Sequence, residues 1–283
     1  MSFRHRLFFA LSVSLVQACA PAPTVPLAPA VPLAPPAAAK LADPRAGLLT
    51  LAHGAFARRS EPAQVRRAVE AWEQALDARE DRELRLRLAR ASHFLGLVSE
   101  GAQRRVHFER GSEHALRAWR PAGRTGGDEC AAARECAEAA PLFWRAENLE
   151  ALAREQGIVA GAAPRALAEC LAQRAVALRP DLFHGGPLRL LGRLLASLPA
   201  LGGGDLAHSR ELLEAAIARS PDFLQNRVDF AAFWAVKAQD REVFGSALRA
   251  VLDAPDGDAA IAPENRLARE RARALLERAD VLF

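Results

Sequence analysis

The sequence predicts an all-α protein built from stacked helical hairpins. Ala, Arg and Leu are its commonest residues, and these side chains lose little conformational freedom in a helix. Tyr is absent, and no stretch alternates polar and apolar residues with the period of two that a half-buried strand requires. Small residues recur at helical spacing ahead of prolines, which indicates a repeated helical unit. With 51% hydrophobic residues among 283, the chain can build one sizeable core.

The first residues, MSFRHRLFFALSVSLVQAC, have the pattern of an export signal. Arg4 and Arg6 precede an apolar run of about ten residues at 7–16, and a small residue, Ala18, stands before the expected cleavage site. A run of this length is too short to span a bilayer, which takes roughly 20 residues. We therefore expect a cleaved signal peptide over residues 1–18.

The segment VQAC resembles a bacterial lipobox, which predicts that Cys19 becomes the first mature residue and carries acyl chains. Such chains hold a protein on a membrane surface, since each buried CH₂ contributes about 0.8 kcal/mol. The alternative is an ordinary cleaved signal peptide with an incidental cysteine. After Cys19 the sequence APAPTVPLAPAVPLAPPAAA favours extended polyproline geometry. We expect a lipidated tether over 19–42 and a helical repeat domain over 43–283.

The charge of the chain does not favour a nucleic-acid partner. The formal net charge is +4, and removal of Arg4 and Arg6 with the signal peptide reduces Lys+Arg from 38 to 36, against 34 Asp+Glu. Runs such as EDRELRLRLAR interleave both signs. Nucleic-acid binding needs clustered positive charge, so these runs are expected to be solvated helix faces.

The repeat domain divides into successive helices separated by short breaks. Candidate helices begin near Asp43, Pro62, Arg82, Gln103, Arg134, Pro164, Pro187, Ala207, Phe223, Glu242 and Pro263. Four of them place mostly small residues at i, i+4 and i+7, on one helix face that a neighbouring helix can approach closely. The four sets are Ala68, Trp72 and Ala75; Gly111, Ala115 and Ala118; Ala168, Ala172 and Ala175; and Ser209, Leu213 and Ala216. Each of the last two sets is followed five residues later by a proline, Pro180 or Pro221, and the two sets lie 41 residues apart. This is the second-helix signature of a tetratricopeptide-like repeat, whose usual period is about 34 residues. The expected architecture is a divergent tetratricopeptide-like α-α superhelix.

The glycine-rich stretch from 184 to 205 has two interpretations, a phosphate-binding loop or hinges between packed helices. Its GGGD segment follows no predicted strand and lacks the lysine of a phosphate loop, so the hinge interpretation is favoured. A helix is then expected to begin at a proline, to cross a neighbour closely at a glycine and to end at a second proline, with an aspartate capping the next helix. The residues of this motif are Gly185, Gly186, Pro187, Gly192, Pro199, Gly203, Gly204 and Asp205.

The sequence contains no signature of catalysis or metal binding. G-x-x-x-x-G-K-[ST], G-x-G-x-x-G, H-E-x-x-H and G-x-S-x-G are all missing, and the seven histidines lack ligand-like spacing. Glu147 and Glu150 form a pair of carboxylates, but they lie in an arginine-rich helix and are expected to be surface ion pairs. We expect a non-enzymatic protein without a cofactor or metal.

The cysteines of the repeat domain predict a disulfide, because disulfides form in exported proteins. Cys130 with Cys136 would clip the Gly-rich insert AGRTGGDEC. Cys130 or Cys136 paired with Cys170 would instead staple adjacent helices. Either arrangement leaves one thiol over.

From residue 62 to the end, and most strongly after 181, the sequence resembles the T-component lipoproteins of tripartite ATP-independent periplasmic (TRAP) transporters. The pattern is a Gly-Gly start, a helix ending in Leu-Pro, a Gly-Gly-Asp turn and a closing proline. It is matched by Gly185, Gly186, Leu198, Pro199, Gly203, Gly204, Asp205 and Pro221. The Trp-bearing segment LFWRAENLEAL, the segment FLQNRVDFAAFWAVKAQDREVFGSALRAVL and the closing PENRLARERARALLERADVLF are also similar to the family.

The resemblance implies a tetratricopeptide-like lipoprotein of the bacterial cell envelope that faces the periplasm and forms a homotrimer with channels. It implies docking to the periplasmic substrate-binding P-component and a small hydrophobic or organic-acid ligand. An ion gradient used by separate membrane subunits would supply the energy for solute uptake. The alternative is a generic tetratricopeptide-like lipoprotein that scaffolds envelope complexes by binding peptides in its groove.

Aromatic and arginine side chains are the candidates for lining a ligand or partner site. They are Phe143, Trp144, Phe183, Arg189, Arg193, Phe230 and Trp234. Arg189 and Arg193 lie one helical turn apart and could grip a carboxylate through bidentate hydrogen bonds. The alternative is that the aromatic residues belong to the core and that the two arginines form a solvated helix face.

Overall fold

Every regular element in the described part of the chain is a helix, as the sequence predicts. The computed structural model describes residues 44–120, 127–199, 202–255 and 257–283. The predicted signal peptide, the lipidation site Cys19 and the tether lie outside these residues. Among the described helices, none combines the length and the apolar character that a membrane span requires.

The helices follow one another through short connections. The first of them are α1 (Pro44–Ala57), α2 (Pro62–Ala78), α3 (Arg82–Val98), α4 (Ala102–Trp119), α5 (Glu129–Glu135), α6 (Ala139–Ala160), α7 (Ala162–Leu178), α8 (Leu182–Ser197) and α9 (Leu206–Arg219). After them come α10 (Gln225–Asp229), a π-helix (Phe230–Ala235), α11 (Val236–Ala238), α12 (Arg241–Asp253), α13 (Ala262–Glu277) and α14 (Ala279–Leu282). The helix expected near Arg134 is wrong, because the chain forms the short α5 there and begins the long α6 only at Ala139.

Consecutive helices pack as hairpins, α1 with α2, α3 with α4, α6 with α7 and α8 with α9. The segment from α10 to α11 pairs with α12 in the same way. We call the earlier member of each pair its first helix and the later member its second helix. The four predicted repeat faces lie on the second helices α2, α4, α7 and α9, and all their residues are buried. The predicted tetratricopeptide-like all-α fold is confirmed.

Gly192 lies where α8 and α9 cross. A Cβ atom at this position would be 2.7 Å from the Cγ atom of Leu213, which is closer than real side chains approach. The hydroxyl of Ser209 on α9 donates a hydrogen bond to the carbonyl of Gly192 at 2.8 Å. The missing side chain therefore allows the second helix to sit directly on the first. The carboxylate of Asp205 caps α9 by accepting a 2.9 Å hydrogen bond from the amide of His208.

The start of α8 contains a left-handed turn. Phe183, His184 and Gly185 have φ angles of 45°, 58° and 76°. This conformation is easy for glycine and sterically costly for a bulky aromatic residue. The regular part of α8 begins after the turn, with Pro187 in its first turn, where proline is tolerated. The turn brings the rings of Phe183 and His184 to 5.6 and 4.7 Å from the ring of Phe223.

The disulfide joins Cys130 to Cys170 and staples α5 to α7. The expected Cys130–Cys136 pairing is wrong, because α5 runs between these two residues. Six residues of helix rise about 9 Å, whereas a disulfide usually spans Cα atoms about 4.4–6.8 Å apart. The Cα atoms of Cys130 and Cys170 are 5.9 Å apart. Cys136 is the thiol left over among the described cysteines.

The last long helix, α13, contacts both ends of the repeat. Glu264 accepts hydrogen bonds from Arg59, in the α1–α2 turn, at 2.7 and 3.0 Å, and from Arg90 on α3 at 2.9 Å. Leu267, about one turn further on, packs against the apolar cluster of α1 to α3. Arg271 of the same helix bonds to the end of α10. This helix therefore ties the first hairpins to the last.

Candidate functional site

Five charged side chains meet in the interior between the first helices α6, α8 and α10. Glu147 and Glu150 come from α6, Arg189 and Arg193 from α8, and Asp229 from the end of α10; all five are buried. One terminal nitrogen of Arg193 donates to Glu147 at 3.0 Å and to Glu150 at 3.2 Å, and the other donates to Asp229 at 2.9 Å. Spacings of three and four residues place each pair on one helix face. We call these five residues the interior ion network.

Arg189 completes this network. It donates to the side-chain oxygen of Asn226 at 2.9 Å, and its Nε lies 3.5 Å from the carboxylate of Asp229. The expectation of surface ion pairs at Glu147 and Glu150 is wrong, and so is the alternative of a solvated face for the two arginines. In the structure, the carboxylates that these arginines bind belong to the chain itself.

The interior ion network stays charged because opposite charges outweigh burial. Burial alone raises the pKa of Asp229, but Arg193, Arg271 and Arg189 hold it well below its usual range. Burial also raises the pKa of Glu147, and Arg193 is the main cause of its net decrease. The carboxylates in turn raise the pKa of Arg193 well above its ordinary value, although burial lowers it. Buried charges are tolerated when they are paired and hydrogen-bonded, so the members depend on one another.

His93 on α3 lies beside the network without adding a charge to it. Its Nε2 is 3.8 Å from the carboxylate of Glu147. Burial lowers the pKa of His93 to about 4; Glu147 opposes this decrease, and nearby arginines add to it. The ring packs 5.5 Å from Phe108 and 6.1 Å from Trp144. This histidine is therefore neutral at pH 7.

The network reaches accessible surface at two further arginines. Arg154 on α6 pairs with Glu150 at 3.1 Å, and 37% of its side chain is exposed. Arg271 on α13 donates to Asp229 at 2.7 Å, and 36% of its side chain is exposed. Burial nevertheless lowers the pKa of Arg271.

The π-helix places Phe233 among these arginines. The guanidinium carbons of Arg154, Arg193 and Arg271 lie 5.9, 5.8 and 5.7 Å from the centroid of its ring, within the range of a cation–π interaction. The ring is half-buried. π-Helices are rare and frequently occur at functional sites. We call Arg154, Arg271 and Phe233 the arginine–phenylalanine edge.

The predicted lining residues do not form one site. Phe143, Trp144 and Phe183 form an aromatic cluster with centroid distances of 4.8, 4.9 and 6.1 Å. The first two are buried and Phe183 is half-buried. The guanidinium of Arg90 lies 4.7 Å from the ring of Phe183 and so connects this cluster to α13 through Glu264.

Phe230 and Trp234 form a second aromatic pair, apart from the first. Their rings stack in parallel at 5.1 Å, and Nε1 of Trp234 donates to the carbonyl of Leu206 at 3.1 Å. Phe230 also lines a groove of about 380 Å³ between α9 and α12, together with Ile217 and Val243. This mostly apolar groove does not include the interior ion network.

Four residues of this site are not predicted from the sequence: Asp229, Phe233, Arg154 and Arg271. No local motif marks them, because their partners come from other helices. One signal was present in the sequence. Asp229 interrupts the apolar run VDFAAFWAV, and a charge inside a helix that is otherwise buried requires an internal partner.

The network and its edge carry more positive than negative charge. The four guanidinium groups are those of Arg154, Arg189, Arg193 and Arg271, and the three carboxylates are those of Glu147, Glu150 and Asp229. The same imbalance occurs at Glu264, where one carboxylate pairs with both Arg59 and Arg90. Within the described residues no group of three or more His, Cys, Asp or Glu could hold a metal. The arrangement is suited to binding an anion.

Comparison with known proteins agrees with this architecture. The model of the family described as TRAP transporter T-component matches residues 69–283. Among solved structures, the chain is similar to a thermophilic tetratricopeptide repeat protein of Thermus thermophilus, with a TM-score of 0.53 and 19% identity, over 82% of this chain and 99% of that chain. This likeness shows the fold alone. No curated protein matches the chain. The family match runs from within α2 to the last residue, and the chain therefore belongs to the TRAP transporter T-component family.

Proposed function

We propose that the chain is a non-enzymatic accessory subunit of a TRAP-type solute uptake system. In this proposal it docks the periplasmic substrate-binding P-component and binds a small organic-acid or hydrophobic ligand. Membership of the T-component family supports the transporter role. The observation that carries the ligand part is the excess of guanidinium over carboxylate groups at an edge that a ligand can reach.

Co-purification tests the docking. The tagged lipoprotein is produced together with a TRAP P-component from the same bacterium, solubilised and captured. We expect the P-component to be retained, and native mass spectrometry of the complex to show the subunit number, with a homotrimer as the proposed state. Capture of envelope assembly proteins without any P-component would contradict the proposal and support the generic scaffold instead.

The contacts of α13 weigh against that scaffold. Repeat proteins offer an extended concave surface to their partners. Here Glu264 and Arg271 hold α13 against Arg59 and Arg90 at one end of the repeat and Asp229 at the other. The last long helix, α13, therefore already binds these side chains, and a bound peptide would have to compete with it for them.

The proposed location is the periplasmic side of the bacterial envelope, with lipid attached at Cys19. The Cys130–Cys170 disulfide supports an oxidising compartment, because disulfides persist in exported proteins and are rare in the cytosol. Mass spectrometry of the mature N-terminus tests the anchor. We expect an acylated Cys19, and globomycin should make the unprocessed precursor accumulate. An unmodified thiol at Cys19 would contradict the anchor.

A further inference from the structure

We propose that the arginine–phenylalanine edge binds a small monocarboxylate whose carbon skeleton is planar, such as an aromatic or α,β-unsaturated acid. The inference rests on the proposed function and names its ligand class. It arises from three features of the edge: its charge, its remaining hydrogen-bond donors and the half-buried ring of Phe233.

The charge favours a single negative group. In the network and its edge, four guanidinium groups face three carboxylates, while His93 is neutral. One positive charge therefore remains without a counter-charge among these residues. An excess positive charge beside buried ion pairs is stabilised by one opposite charge. A monoanion balances the site, whereas a dianion would reverse its sign.

Hydrogen-bond geometry locates the carboxylate. Arg189 and Arg193 are buried. Both terminal nitrogens of Arg193 bond to carboxylates of the network, and one terminal nitrogen of Arg189 bonds to Asn226. Arg154 meets Glu150 through Nε, and Arg271 meets Asp229 through one Nη. Each guanidinium has five N–H donors in a planar fork, so these two accessible arginines keep donors for a further acceptor.

The ring of Phe233 selects the rest of the ligand. It is half-buried, and Arg154 and Arg271 approach it to 5.9 and 5.7 Å, beside the proposed carboxylate position. A planar skeleton can stack on this ring while its carboxylate reaches the arginines. A flexible aliphatic acid gains less contact and loses more conformational freedom on binding.

Calorimetry with defined probes tests the site. The probes are cinnamate, its neutral amide cinnamamide, and hexanoate, each titrated into the purified full lipoprotein with the P-component absent. We expect cinnamate to bind roughly tenfold or more tightly than cinnamamide, as a charge-assisted pair predicts. Hexanoate is expected to bind more weakly than cinnamate.

Matched variants assign the binding to the edge. Arg154→Gln retains a donor for Glu150 and removes the charge, and Phe233→Leu removes the ring; each is expected to weaken cinnamate binding by about fivefold or more. Arg154→Lys should restore part of the affinity. Arg210→Gln is the control, because Arg210 also pairs with a glutamate at i+4, Glu214, and lies 4.7 Å from Trp234, but outside the site. It should leave cinnamate binding unchanged.

The outcomes separate this inference from the proposed function. Equal affinity for cinnamate and cinnamamide, or unchanged cinnamate binding in a folded Arg154→Gln protein, overturns the ligand assignment. If the same preparations still capture the P-component, the transporter role stands and the ligand class falls. If cinnamate binds as expected and no P-component is captured, the site stands and the docking proposal falls.

Discussion

Asp229 is fully buried, and its carboxylate is shared by arginines from two helices. Removing such a group destabilises the fold mainly because it leaves the positive charges of its partners unpaired in the interior. The surface pair Arg210–Glu214 has similar geometry, but water competes for both of its members. An arginine–carboxylate pair therefore affects stability far more when it is buried, as at Asp229, than when it is exposed, as at Glu214.

Asp229→Asn keeps the shape of the side chain and removes its charge. We expect the free energy of unfolding to fall by about 3–5 kcal/mol, the usual effect of breaking a buried pair. Urea denaturation at pH 7 measures it. Glu214→Gln is the control and should change stability by less than about 1 kcal/mol. Equal effects of the two substitutions would mean that the interior ion network is not an obligatory unit.

The burial of His93 leads us to expect a specific loss of stability in mild acid. Its pKa is lowered from 6.5 to about 4 by burial, so between these values the unfolded chain binds a proton that the folded chain does not. Stability is therefore lost as pH falls through this window. From pH 7 to pH 5 the contribution of His93 is about 2 kcal/mol. His93→Gln should remove this part of the pH dependence in urea titrations, whereas the exposed His208→Gln should follow the wild type.

The environment of a residue can be predicted from the sequence where it depends on neighbours in the same helix, but not where its partner is distant in sequence. Ala168, Ala172 and Ala175 are recognisable as a buried face because their spacing is that of one helix. Arg193 looks like a solvated residue, since its partners Glu147 and Asp229 lie 46 and 36 positions away. Only the packing of three first helices shows that its charge is internal.

At the scale of the element, Gly192 shows how a missing side chain fixes a helix crossing. Two tendencies oppose each other, because alanine is the better helix former by about 1 kcal/mol, yet its Cβ would clash with Leu213. Leu213 is fully buried and cannot move away freely. The hydroxyl of Ser209, which is also buried, bonds to the carbonyl of Gly192 and so joins the two helices at the crossing. Overpacking should outweigh helix propensity here.

Gly192→Ala is therefore expected to destabilise the fold by about 1–3 kcal/mol in thermal or urea unfolding. Gly54→Ala is the matched control, since Gly54 also lies inside a helix, α1, and a Cβ atom added there would have no neighbour within 4 Å. That substitution should be neutral or stabilise by up to about 1 kcal/mol. A stabilising Gly192→Ala would contradict the close crossing.

Most helices could be placed from the sequence because prolines, caps and the 3.6-residue period are local signals. Asp205 was recognisable as a cap because a short acceptor side chain stands just before an apolar periodic segment. The left-handed turn at Phe183 and His184 could not be predicted from the sequence, since an aromatic side chain does not favour positive φ. The break between α5 and α6 was missed because its residues have ordinary helix propensity.

At the scale of the whole molecule, Glu264 pairs with Arg90 on α3 and with Arg59 in the α1–α2 turn, which lie 174 and 205 residues away in sequence. Glu264→Ala should lower the free energy of unfolding by about 2–4 kcal/mol, because Arg59 is buried and loses its carboxylate partner. Hydrogen exchange should rise in α1 to α3 and in α13 together. The exposed Glu270→Ala, on the same helix, should change neither. Faster exchange confined to α13 would show that this helix does not brace the first hairpins.

The arginines of the arginine–phenylalanine edge would also determine how acidity affects the proposed binding of an acid. Guanidinium groups remain protonated in proteins, so Arg154 and Arg271 keep their positive charge in acidic and in alkaline medium. A weak acid changes instead, becoming neutral as the medium is acidified. Any pH optimum for binding at the arginine–phenylalanine edge would then report the ionisation of the solute. Two solutes of different acidity would give two different optima with one unchanged protein.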